Sequence, residues 1–211
     1  MLWLIPSGLK SSRLNLEVNK THVGLLMTPR TWKMHSLKEH DIYWAGDNDC
    51  YTGNFNANTF LDWLSGDALQ YRNRCLFVVC PDVVYDAQAT LDLYKSWRLK
   101  IKSLGYPVAL ALQDGVEKLN LKWDFDAVFV GGSTEWKMSL AVIELLQKAK
   151  SLGKWCHVGR VNSIKRMRHF WGFADSFDGT DYVHHPEESV KLYLPQIRWL
   201  KQQLKMGEAN Q

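Results

Sequence analysis

Five apolar runs in this 211-residue chain each stop at a carboxylate or a glycine pair. They are IYWAGD at Asp47, LFVVCPD at Asp82, VALALQD at Asp114, AVFVGG at Gly131 and Gly132, and DSFDGTD at Asp178. A short run of this kind is a strand buried on both faces, as in a parallel sheet. In a parallel barrel the C-terminal end of each strand delivers its polar group to one rim. Acids from distant parts of the chain can then meet in one cleft. Two carboxylates across such a mouth are the arrangement used for glycosyl transfer, one as nucleophile and one as acid or base.

Each residue also has a plainer reading. Asp47 opens Asp47-Asn48-Asp49, a turn-prone sequence that could be an Asx-turn and nothing more. Asp82 could cap the next helix, but Asp86 is better placed for that, which leaves Asp82 free for chemistry. Gln113 carries a donor and an acceptor and could read a nucleobase edge, whereas a cap or turn suits its neighbour Asp114 better. Gly131 and Gly132, followed by Ser133, could let the backbone approach and donate to a planar ligand, or could simply make a tight turn. Asp178 follows Phe177 directly, at the expected strand tip, while Asp175 and Asp181 flank it. His157 reads as a satisfied core histidine inside a strand, and His184 and His185 as solvated loop residues. Arg160, Lys165, Arg166, Arg168 and His169 crowd into ten residues, either as a solvated helix face or as a polyanion contact.

The elements that must hold these residues alternate along the chain. Strands are predicted over Leu2–Pro6, Val23–Thr28, Ile42–Gly46, Leu76–Pro81, Val108–Leu112, Ala127–Val130, Trp155–Gly159 and Ser176–Phe177. Helices are predicted over Ala57–Leu64, Ala87–Leu104, Met138–Leu152, Ile164–Phe170 and Pro186–Leu204. Eight strands alternating with helices predict an α/β fold of the (β/α)8 barrel type, in one domain over 1–204 with a polar tail at 205–211. An open doubly wound sheet is the rival, and the absence of a GxGxxG fingerprint counts against it. At 211 residues the barrel must be compact, with little decoration.

Composition narrows the setting. The chain is 46% hydrophobic with ten tryptophans, enough for a sizeable core, and no apolar stretch is long enough to span a membrane. The opening MLWLIPSGLK has no basic region before its apolar residues and reads as a first strand, not a signal peptide. Net charge is +4 and the pI ≈ 8.8, compatible with a polyanionic partner. Cys50, Cys75, Cys80 and Cys156 form neither a CxxC pair nor a zinc spacing, so a metal site is not expected and a reducing, cytoplasmic setting is.

The motifs GLLMTP, WAGDNDCY, LFVVCPDVVYDAQAT, VALALQDG, FDAVFVGGSTEWKMS, GKWCHVGRVNSIKRMR and DSFDGT occur in this order between Gly24 and Thr180. In this the chain resembles the short virus-type members of the tRNA-guanine transglycosylase superfamily, the DNA-guanine transglycosylases that place 7-deazaguanine bases in DNA. The resemblance implies a barrel and a base exchange that needs no cofactor. By it, Asp178 matches the nucleophile and Asp47 the acid/base. Asp82 matches the aspartate that binds the incoming base, and Gln113 falls in the base-reading segment. Gly131, Gly132 and Ser133 match the turn whose backbone contacts the base. Arg160, Asn162, Lys165, Arg166 and Arg168 would then hold phosphates. The tRNA enzymes carry a three-Cys, one-His zinc site after the nucleophile, and here no cysteine follows Cys156. That departure favours DNA, with an extruded guanine and a preQ0-type 7-deazaguanine as the two substrates. The alternatives are the same chemistry on tRNA, a catalytically silent nucleic-acid-binding barrel, and an unrelated barrel hydrolase.

Overall fold

The computed structural model describes residues 1–6, 19–32 and 34–208. Among these, eight parallel strands close into a barrel in sequence order. They are β1 (Leu2–Pro6), β2 (Val23–Met27), β3 (Trp44–Gly46), β4 (Cys75–Val79), β5 (Val108–Leu112), β6 (Ala127–Val130), β7 (Trp155–Val158) and β8 (Ser176–Asp178). The ring closes where β8 pairs with β1, in the register Leu2↔Ser176, Trp3↔Phe177 and Leu4↔Asp178. This is the (β/α)8 architecture that the alternating pattern predicts.

The side-chain period of two sorts each strand into an inner and an outer set. On β5, Ala109 and Ala111 point into the barrel with Leu4, Ala45, Phe77, Val79 and Ala127. Val108, Leu110 and Leu112 of the same strand join the outer layer against the helices. The outer layer under β3 is aromatic. Trp32, Trp44 and Trp63 pack edge-on, with ring centroids 5.4–5.9 Å apart.

The helices are α1 (Met34–Glu39), α2 (Ala57–Ser65), α3 (Ala87–Ser103), α4 (Thr134–Lys137), α5 (Leu140–Ser151), α6 (Ile164–His169), α7 (Asp181–His184) and α8 (Pro186–Glu208). Asp86 caps α3, its carboxylate accepting from the Ala89 N–H at 2.9 Å. The single helix predicted over Met138–Leu152 is two. Ser133 starts α4, and the extended backbone of Ser139 breaks the helical path before α5. Helix α1 lies in the part of the chain where periodicity is weakest, and the pattern of apolar residues does not reveal it. Helix α8 runs on through 205–208, which composition assigns to a polar tail; 209–211 lie outside the described residues.

Candidate active site

The C-terminal rim of the barrel surrounds a cavity of ≈ 260 Å³. Asp47, Asp82, Gln113, Gly131, Gly132, Arg160 and Asp178 all line it, drawn from six successive strand ends, β3 to β8. Leu26, Val79 and Phe129 supply apolar wall, and Thr28, Tyr51 and Thr180 add polar lining. Its place at the strand ends is where barrels of this architecture carry chemistry.

Asp178 ends β8 and is 8% exposed. Its two oxygens face two different donors. Oδ1 accepts from the backbone N–H of Arg160 at 3.0 Å, and Oδ2 lies 2.9 Å from His157 Nε2. Arg160 adopts a left-handed conformation (φ 57°) to aim that N–H. A non-glycine residue held there costs about 1–3 kcal/mol, a strain that collects at functional sites.

Asp47 follows β3. Its Oδ1 accepts from the Asp49 N–H at 3.3 Å, and Asn48 Oδ1 accepts from the Cys50 N–H at 2.8 Å. The Asx-turn reading is therefore correct locally, and the same turn points Asp47 into the cavity. Burial pushes the Asp47 carboxyl up to about 7, and the negative charge of Asp178 adds to the effect. Asp49, also in the cavity lining, is paired with Arg30 at 2.5 Å, and that partner holds its carboxyl below the usual range.

Asp82 is gripped by two amides. Asn48 Nδ2 donates to Oδ1 at 2.7 Å and Gln113 Nε2 to Oδ2 at 2.6 Å. Burial raises the Asp82 carboxyl, and the two amide donors oppose that rise. Gln113 Oε1 accepts from the N–H groups of Tyr85 at 3.0 Å and Gly132 at 2.9 Å. The glutamine's acceptor is thus fully used within the protein, and one Nε2 hydrogen is left for a ligand.

The glycine turn differs from the sequence expectation in detail. The Gly131 N–H donates to Leu112 O, and the Gly132 N–H to Gln113. Neither is free to donate to a ligand, because the barrel has already used both. What the pair contributes is room. A Cβ on Gly131 would come within 2.8 Å of Gln113 Nε2, and one on Gly132 (φ 68°) within 2.5 Å of Trp136. Ser133 is a correction: it does not line the cavity. Its hydroxyl donates to Asp114 Oδ1 at 2.5 Å and accepts from the Trp136 N–H, and its own N–H donates to Asp114 Oδ2. It caps α4, and Asp114 is its anchor.

Of the five residues assigned to phosphates, Arg160 alone reaches the cavity. Its guanidinium donates to Gly132 O and lies 4.4 Å above the Tyr51 ring, spanning the mouth. Asn162 is spent on Thr180, donating from Nδ2 to Oγ1 and accepting the Thr180 N–H. Arg166 donates to Arg160 O and Arg168 to Gln196, so both brace α6 and its surroundings; Lys165 is exposed. Asp175 holds the strand bottoms, accepting from the Cys156 N–H and Lys150.

Two residues of the site carry no signal in the spacing. His157 is buried as a core histidine should be, yet its partner is Asp178. Lys137 is 3% exposed beneath the mouth and donates to Gly159 O at 2.5 Å. Burial, then Arg160, bring its ammonium down to about 8, against the attraction of Asp178. It supports the turn that carries the Arg160 N–H. Among the described residues no cluster of three or more His, Cys, Asp or Glu could hold a metal ion, and no helix is long and apolar enough to cross a membrane.

No established family profile and no curated protein matches the chain. Two solved structures to which it is similar are manganese/cy-diGMP complexes of Klebsiella pneumoniae BlrP1. The pH 9.0 form matches with 12% identity and a TM-score of 0.45, over 69% of this chain and 39% of that one. The pH 6 form matches with 14% identity and a TM-score of 0.42, over 68% and 38%. The chain spans about two fifths of the length of these proteins. Overlap this distant assigns neither family nor activity.

Proposed function

We propose that the protein is a DNA-guanine transglycosylase, exchanging guanine in DNA for a 7-deazaguanine base of the preQ0 type. The observation that carries the proposal is the pairing of Asp178 and Asp47 on one cavity, in contrasting environments. Asp178 accepts two hydrogen bonds at the strand tip, while Asp47 is held near neutrality. Two carboxyls in such different surroundings can divide the roles of nucleophile and proton carrier.

The steps balance as follows. A guanine stacked in a duplex is out of reach, so its nucleotide is flipped out at a cost of a few kcal/mol. An Asp178 oxygen attacks C1′, the C1′–N9 bond breaks, and its electron pair leaves with the base. Asp47 gives its proton to the departing guanine. The incoming deazaguanine loses its N9 proton to Asp47, N9 attacks C1′, and the C1′–O bond returns its pair to Asp178. A carboxylate nucleophile thus splits one hard displacement into two easier ones. Asp82 suits the base edge, since an acceptor-only carboxylate complements the adjacent N1–H and N2–H donors of guanine. Gly131 and Gly132 line the same cavity and let Gln113 and Trp136 pack close against the turn. Arg160 at the mouth, with exposed Lys165 beyond it, would meet backbone phosphates, which set affinity and salt dependence.

The test is exchange of labelled guanine into DNA and into tRNA by wild type and by Asp178→Ala. Label entering DNA only with wild type supports the proposal. Label entering tRNA alone makes it the tRNA enzyme. Binding of DNA without exchange or a trapped adduct makes it a silent binding barrel, and unchanged exchange by Asp178→Ala removes that residue from the nucleophile's role.

A further inference from the structure

A file of polar groups runs through the barrel interior beneath Asp178. The Trp155 Nε1–H donates to Ser176 Oγ at 2.9 Å. Ser176 Oγ lies 2.8 Å from His157 Nδ1, and His157 Nε2 lies 2.9 Å from Asp178 Oδ2. One assignment of donors and acceptors satisfies every group in this file. An indole N–H only donates, so Ser176 Oγ accepts there and has one hydrogen to give. In that assignment the hydrogen goes to His157 Nδ1, and the ring proton sits on Nε2, pointing at Asp178. The ring is wholly buried, stacked on Phe129 at 4.7 Å and tilted against Phe77 at 5.2 Å. It has little freedom to turn.

We propose that His157 is a positioning residue for the nucleophile, locked by Trp155 and Ser176 in the Nε2–H tautomer so that it fixes the rotation of the Asp178 carboxylate. The inference rests on the base-exchange reading of Asp178. With the Arg160 N–H on the other oxygen, the carboxylate is held at both ends before the nucleotide arrives. His157 keeps its proton throughout, neither giving it to the base nor taking one from it. Its donor acts when Asp178 carries charge: before attack, and again when the ester releases C1′. Fixing the geometry of a reacting group by a neighbour locked in one tautomer is a familiar source of rate.

The test has two arms. In 15N-labelled wild-type protein, His157 is expected as the neutral Nε2–H tautomer, and Ser176→Ala should release that preference. In labelled-guanine exchange, His157→Phe keeps a ring but no donor, and should lower kcat about 10- to 100-fold with KM for the base within about twofold. His157→Gln, whose Nε2–H can reach the same oxygen, should recover most of the rate. An Nδ1–H tautomer or a doubly protonated ring in wild type overturns the proposal. So does wild-type exchange by His157→Phe, or equal loss of kcat and KM in the Phe and Gln variants, which would mark a merely structural role. If wild type exchanges no guanine, the base-exchange reading falls, and with it the inference about the nucleophile, while the tautomer arm still decides the hydrogen-bonded file itself.

Discussion

Asp47→Asn should make the protein more stable while disabling it. The wild-type carboxyl titrates at about 7 in the folded protein, against 3.8 for an ordinary aspartate. Between those values the unfolded chain has released a proton that the folded one keeps. Folded Asp47 therefore costs nothing below about pH 4, and the cost grows by about 1.4 kcal/mol per pH unit up to about 7. Above that it levels off near 4 kcal/mol, a ceiling, because Asp47 still touches the water of the cavity. Asparagine is nearly isosteric, keeps an acceptor for the Asp49 N–H, and carries no such cost. Urea unfolding of both proteins at pH 4, 5, 6, 7 and 8 gives the stability difference directly, provided the m-values agree. The variant should gain little at pH 4 and progressively more as the pH rises, while base exchange falls by about 10²–10⁴-fold. A difference that stays flat with pH, or a variant less stable than wild type at pH 8, would refute the claim that Asp47 is kept protonated by burial and by Asp178.

Gln113→Ala should leave the buried Gly132 N–H without its acceptor and Asp82 with one amide fewer, costing about 1–3 kcal/mol in urea unfolding and raising KM for the free base. Arg160→Gly should keep the N–H to Asp178, relieve the left-handed strain and lose the Tyr51 contact, leaving stability within about 1 kcal/mol of wild type; the salt slope of DNA affinity should shrink by about 1.

The barrel is legible because its strands are apolar on both faces and end in Gly, Pro or Asp. β1, β5 and β6 have the residues the pattern predicts. The rim acids are legible for the same reason, since Asp47, Asp82 and Asp178 sit where the apolar runs stop. What the pattern does not contain is where hydrogen bonds are spent. Ser133 and Gly132 look available in one dimension, but Asp114 and Gln113, on the neighbouring strand end, have already claimed their polar groups. His157 and Lys137 are hidden for the opposite reason. Each looks like an isolated polar residue in an apolar segment, and its partner lies on the next strand or on a neighbouring rim loop. The split between α4 and α5 is a matter of capping, where Ser139 overrides a continuous helical period.

The pairing of β8 with β1 has a consequence for how the protein comes to function as it is made. Asp47 and Asp82 belong to strands that emerge early from the ribosome, while Asp178 lies on the strand that docks back onto the first one made. Closing so long a loop is entropically slow compared with pairing sequential neighbours. A nascent chain therefore carries Asp47 and Asp82 before Asp178 is in place; on the proposed reading, it has its proton carrier and base-holding acid before its nucleophile. Ring closure and completion of the rim cavity arrive together, so the proposed base exchange would begin only once β8 has docked on β1.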